Sequence, residues 1–127
     1  MGGKLLEDQN AAKAVGAIFD EFGRITNYEE LMGKFVDDWN TTQSDLDTRE
    51  QAYENRVAEI ANTEYTEEQE AEKTAAEKAN ETEKENIGKD REAADDAFEN
   101  KKKALEQYTE TLNLSEEAKR QLDDYLR

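Results

Sequence analysis

The sequence predicts an all-α protein. Its core would be a long antiparallel helical hairpin, coiled-coil-like along its arm, with short N- and C-terminal helices completing a small four-helix base. Three observations lead there. The 127 residues contain no Pro and are rich in Ala, Glu and Lys, so nothing interrupts long helices and much of the chain favours them. A seam of Tyr28, Met32, Phe35, Trp39, Thr42, Leu46, Arg49, Tyr53, Val57 and Ile60 recurs at three- and four-residue steps, the spacing of a helix packed lengthwise on a partner. Capping signatures stand where such helices should start: Thr26-Asn27 with Glu29 and Glu30 after them, and Thr66 with Gln69 three residues on.

Charged residues make up 39% of the chain and its formal net charge is -16. With Leu, Ile, Val and Phe together below about a fifth, this composition borders on that of disordered chains. The missing Pro and the sustained seam favour long helices instead. The length suits one helical domain, residues 1–127, with helices at about 4–22, 28–61, 67–111 and 116–126 and an arm at about 42–79.

Each element has its own reason. Over residues 4–22, Leu5, Ala11, Val15, Ile18, Phe19 and Phe22 share one face, and Gly23 sits where a left-handed cap belongs. This helix is expected to lie on the start of the next, with Ile18 near Met32 and Val15 near Phe35. The second helix opens on Glu29 and Glu30, which suit the positive end of its dipole. Asn62 to Thr66 reads as a break. The third helix carries a seam of small residues, among them Ala71, Ala75, Ala79 and Thr82, before Ile87, Ala104 or Leu105, and Tyr108. Folding back at residues 62–66 sets Val57 near Ala71, Tyr53 near Ala75, and Trp39 near Ile87 and Gly88. Large residues then meet small ones, and Gly88 makes room for the indole. Asn113-Leu114-Ser115 is expected to end this helix. Ser115 would cap the last one, whose small apolar face is Leu122, Tyr125 and Leu126.

The chemistry of catalysis is thinly represented. The chain has no His and no Cys, which removes the common nucleophile–base pairs and the Glu-x-x-His metal sites of helical bundles. Asp45-Leu46-Asp47-Thr48-Arg49 begins like a calcium loop but puts Arg49 at a ligand position with no Gly after it. No phosphate-cradling glycine loop is present. Lys101-Lys102-Lys103 is the one basic run and reads as a helix face paired with Glu99 and Glu106. No apolar run spans a membrane, no signal peptide opens the chain, and Met1-Gly2-Gly3-Lys4-Leu5-Leu6 lacks the hydroxyl residue of a myristoylation site. A cytoplasmic protein with no enzymatic activity, no cofactor and no metal is expected.

Function is expected to follow from shape and charge. The first expectation is a non-enzymatic acidic helical binding or scaffold protein that acts through protein–protein contacts. Its partner-binding residues would be Glu59, Glu64, Glu67, Glu68, Glu70 and Glu72 at the arm tip. The alternative is an acidic inhibitor, such as a phage counter-defence protein, that mimics nucleic acid. It would block the basic groove of a nuclease or other nucleic-acid-binding protein, because carboxylates repeated along a rod imitate a phosphate backbone. Either way the partner is a protein, with a basic surface in the second case, and neither nucleic acid nor membrane is bound directly. A monomer is favoured over a homodimer, since parallel self-pairing would face Trp39 with Trp39 and Arg49 with Arg49.

Overall fold

The computed structural model describes residues 2–127; Met1, which begins the myristoylation-like sequence, lies outside the described residues. The described chain is all-helical, with three α-helices: α1 (Gly2–Ala14), α2 (Tyr28–Ala61) and α3 (Glu70–Leu126). A single 3₁₀ turn, Glu67–Gln69, leads into α3. No helix among the described residues is long and apolar enough to cross a membrane. The chain divides into two compact units, Met1–Asp37 with Ala97–Arg127, and Asp38–Asp96. Both long helices contribute to each.

Unit 1 holds an apolar core of Ala12, Ala17, Leu31, Phe35, Leu105 and Tyr108. The first helix ends at Ala14, well before the expected residue 22. Its end is a Schellman motif: the Ala17 N–H bonds to the Ala12 carbonyl and the Gly16 N–H to the Lys13 carbonyl, with Gly16 at φ +109°. The cap therefore falls on Gly16, which the sequence reading placed inside the helix, rather than on Gly23. Residues 18–27 then fold into a small hairpin with a bridge between Phe19 and Ile25. Asp20 Oδ1 closes its turn by accepting from the Phe22 and Arg24 N–H groups. Asn27 secures its base, accepting from the Ile18 N–H and donating to the Gly16 carbonyl. Ile18 and Phe22, expected on the packed face, are 61% and 68% exposed. Ala12 and Ala17 take the buried places.

Tyr108 ties this hairpin to α3. Its hydroxyl donates to the Gly23 carbonyl, and its ring meets Phe19 edge-on at 5.2 Å between centroids. Gly23 has φ +79°, and a Cβ there would stand 3.0 Å from the Tyr108 hydroxyl. Both the conformation and the space call for glycine.

The expected fourth helix does not exist as a separate element. α3 runs unbroken through Asn113-Leu114-Ser115 to Leu126. Asn and Ser are only mildly unfavourable inside a helix, and the good helix formers on both sides carry it through.

In unit 2 the paired stretches of α2 and α3 are joined by side-chain bonds whose partners descend along α3 as they ascend along α2. Trp39 Nε1 donates to Asp95 Oδ1 at 2.8 Å. Arg49 reaches Asp90 and Glu83, both at 2.6 Å, and Arg56 Nε donates to Asn80 Oδ1 at 3.3 Å. From the other side, Arg91 holds Gln43 and Asp47 at 2.7 Å and Glu50 at 2.6 Å. The pairings these bonds make differ from the expected register. The indole nitrogen finds its partner seven to eight residues beyond Ile87 and Gly88, about two helical turns. Gly88 faces open space, so it makes no room for Trp39.

The face of α3 differs too. Ala71, Ala75, Ala79 and Thr82 are exposed, whereas Ala76, Asn80, Glu83, Ile87, Arg91 and Ala94 are covered. Through residue 83 the seam is displaced by one residue, a rotation of about 100°. Apolarity alone had selected the alanines; the hydrogen bonds to α2 select their polar neighbours.

Candidate functional site

The six glutamates expected at a partner site all lie in unit 2, around the connection between its two helices, and all are exposed. α2 ends at Ala61, and the Thr63 hydroxyl donates to the Glu59 carbonyl at 2.6 Å, satisfying an end carbonyl that has no helical partner. At the other side the Thr66 N–H bonds to Gln69 Oε1 at 3.2 Å, and the Gln69 N–H to the Thr66 carbonyl at 2.9 Å. The Thr66–Gln69 signature therefore marks a helix start, but α3 itself begins at Glu70 rather than Glu67. Glu67 and Glu68 occupy the 3₁₀ turn, and Glu70 and Glu72 the first turn of α3. These four stand at the positive end of the helix dipole, a favourable place for them in any case. Among the described residues no group of three or more acidic side chains converges on a place where a metal ion could be held.

Beside them lies a groove of about 550 Å³, whose apolar lining includes Ile60, Tyr65, Ala76 and Ala79 and whose polar lining includes Arg56 and Asn80. Glu59 is the one predicted site residue that lines it. Tyr65 is held in place by Lys73, whose Nζ sits 5.7 Å from the ring centroid, a cation–π contact. Asn80 is only 7% exposed. Its Oδ1 accepts from Arg56, while its Nδ2 donates to no other group of the described chain. Among the described residues no side-chain nitrogen or oxygen is both fully buried and without a partner, so this Nδ2 keeps an opening, and the groove is what Asn80 lines. A nearly buried amide with an unused donor on an apolar floor is equipped to meet a carbonyl oxygen.

Electrostatics divide the cations of unit 2 from its anions. Hydrogen bonds to Asp90 and Glu83 raise the Arg49 pKa above its ordinary value. Those to Asp47 and Glu50 do the same for Arg91. Both guanidiniums are thus committed within the unit, and Arg56 lies 4.0 Å from Glu83 as well as bonding Asn80. The glutamates around the helix connection have no such partners among the ion pairs of the described residues. The Lys101–Lys103 run belongs to unit 1, where Lys102 pairs with Glu106 at 3.8 Å and Lys101 Nζ lies 5.6 Å from the centre of the Phe35 ring.

Sequence reasoning found the acidic edge and missed the groove. Arg56, Tyr65 and Asn80 carry no motif. The one available signal was spacing, since Ala76, Asn80, Glu83 and Ile87 also recur at helical steps. Comparison with known protein families, curated proteins and solved structures finds nothing that matches this chain.

Proposed function

We propose that this chain is a non-enzymatic, acidic helical binding or scaffold protein, and that unit 2, an antiparallel coiled-coil-like element, presents the contact surface to a protein partner. The observation that carries this is the juxtaposition of an open, apolar-floored groove with exposed carboxylates at Glu59, Glu64, Glu67, Glu68, Glu70 and Glu72. Apolar area supplies affinity and surrounding charge supplies selection and steering. The absence of His and Cys supports a role in binding rather than catalysis.

A second reading rests on charge alone. Exposed carboxylates in a chain of net charge -16 suit an acidic inhibitor that occupies the basic groove of a nucleic-acid-binding protein. A salt series separates the two. A mimic loses partner affinity steeply between about 50 and 200 mM salt, whereas a groove that binds through an apolar contact with a few flanking charges loses less. Capture of a partner from host lysate, repeated with the six glutamates changed to lysine, tests the shared premise. Unchanged capture by that variant overturns both readings.

A further inference from the structure

We propose that the groove in unit 2 is a docking site for an extended basic peptide segment of a partner protein, with one apolar side chain anchored between lysines or arginines. The inference rests on the proposed binding role of unit 2 and names the chemistry of the partner.

The groove itself limits the occupant. Its volume of about 550 Å³ lies within the range of ligand clefts, roughly 300–1,000 Å³, and exceeds what one side chain fills. Its apolar lining of Ile60, Tyr65, Ala76 and Ala79 calls for an apolar anchor. Asn80, 7% exposed and with its Oδ1 engaged by Arg56, offers Nδ2 as a donor. An extended segment has free backbone carbonyls to accept from it, whereas the carbonyls inside a helix are already bonded.

Charge fixes the flanks. Between Glu54 and Glu83 there are ten acidic residues and three basic ones, a net of -7. Of the three, Arg56 is bound to Asn80 and Lys73 sits over the Tyr65 ring. A segment entering the groove thus meets Glu59 and Glu83 in its lining, within a stretch whose charge is net negative. Lysines or arginines on both sides of the anchor complement it, and an acidic segment is repelled.

The probe is a short synthetic peptide, acetyl-Lys-Arg-Leu-Lys-Lys-amide, titrated into the full chain and followed by amide chemical shifts. Shifts are expected at residues 56–65 and 76–83, leaving unit 1 unmoved. Replacing the peptide leucine by serine is expected to weaken binding about tenfold or more, the worth of a desolvated apolar anchor. The decisive variant is Asn80→Asp. It keeps an acceptor for Arg56, removes the Nδ2 donor and adds a negative charge. Nonspecific attraction predicts tighter binding of the basic peptide by this variant; the groove predicts weaker binding, by about tenfold. Binding by Asn80→Asp equal to or tighter than the parent, indifference to the leucine, shifts spread over the whole acidic surface, or no binding at all would each overturn the proposal. The binding role of unit 2 is judged separately. Partner capture lost on charge reversal of the six glutamates but kept in Asn80→Asp removes this groove and leaves that role. Capture indifferent to charge reversal removes the role itself.

Discussion

In unit 1 the helical seam is filled by Leu31, Phe35, Leu105 and Tyr108, all buried. In unit 2 the corresponding face of α3 carries Asn80, Glu83, Ile87 and Arg91, and only Leu46, Ile87 and Asn80 are buried there. The spacing is the same and the chemistry is opposite. Apolar burial stabilises strongly but has no direction, so unit 1 takes its uniqueness from shape, as at Gly23 under the Tyr108 hydroxyl. The bonds of unit 2 are directional and half-exposed, so each adds little stability, yet together they single out one register. Arg49 and Arg91 reach across from opposite helices to two and three acceptors respectively. A slip of either helix would break both sets.

The largest test of this contrast is Tyr108→Ala. It removes a side chain that is 1% exposed and its bond to the Gly23 carbonyl, and should cost about 3–5 kcal/mol. Amide hydrogen exchange should show the loss concentrated in unit 1; an equal loss across unit 2 would mean that the two do not differ as described. Removing a clamp should do much less. Arg91→Met, with its guanidinium partly solvated, should lower the melting temperature by a small fraction of the Tyr108→Ala effect. It should also reduce the sensitivity of unit 2 to added salt, because screening acts on those pairs. A drop as large as that of Tyr108→Ala would make the clamps the main source of stability.

Gly88 gives a test of opposite sign. Nothing stands within 4 Å of a Cβ built there, so Gly88→Ala should stabilise by about 0.5–1 kcal/mol through helix propensity alone. Destabilisation would restore the expectation that an indole packs against it. The smallest effect should appear at alkaline pH. Burial raises the Tyr108 pKa above its ordinary value of about 10. An acid whose folded-state pKa is raised contributes stability that is complete below the unfolded value and is lost as pH rises through the folded one. Melting in unit 1 should therefore be flat in this contribution below about pH 10 and fall above it. Tyr108→Phe should remove that part of the decline. Phenolate absorbance during a base titration checks the cause, since Tyr108→Phe should remove the component that ionises above the ordinary tyrosine value.

The α2 seam was legible because long side chains mark it. Of its ten predicted positions only Thr42 and Val57 are exposed. On α3 the same method chose alanines, since nothing in composition distinguishes an exposed Ala75 from a covered Ala76. The groove escaped for a related reason: Arg56 and Asn80 look like ordinary surface residues until they are bonded to each other.

By itself the sequence determined that the described chain is all-helical, that α2 spans Tyr28–Ala61, and that Thr66 and Gln69 mark the next helix start. Those features depend on propensity, periodicity and capping, which act within a few residues of each other. It also determined the acidic edge, because charge is counted rather than folded. The tertiary structure alone decided the register of unit 2, the face of α3 and the end of α1 at Gly16. Register depends on bonds between residues some forty positions apart, such as Arg49 with Asp90 and Arg91 with Glu50. The hairpin at residues 18–27 depends on Tyr108, eighty-five positions beyond Gly23. Such pairings have no local signature, since the side chains that make them become partners only when the chain has brought them together.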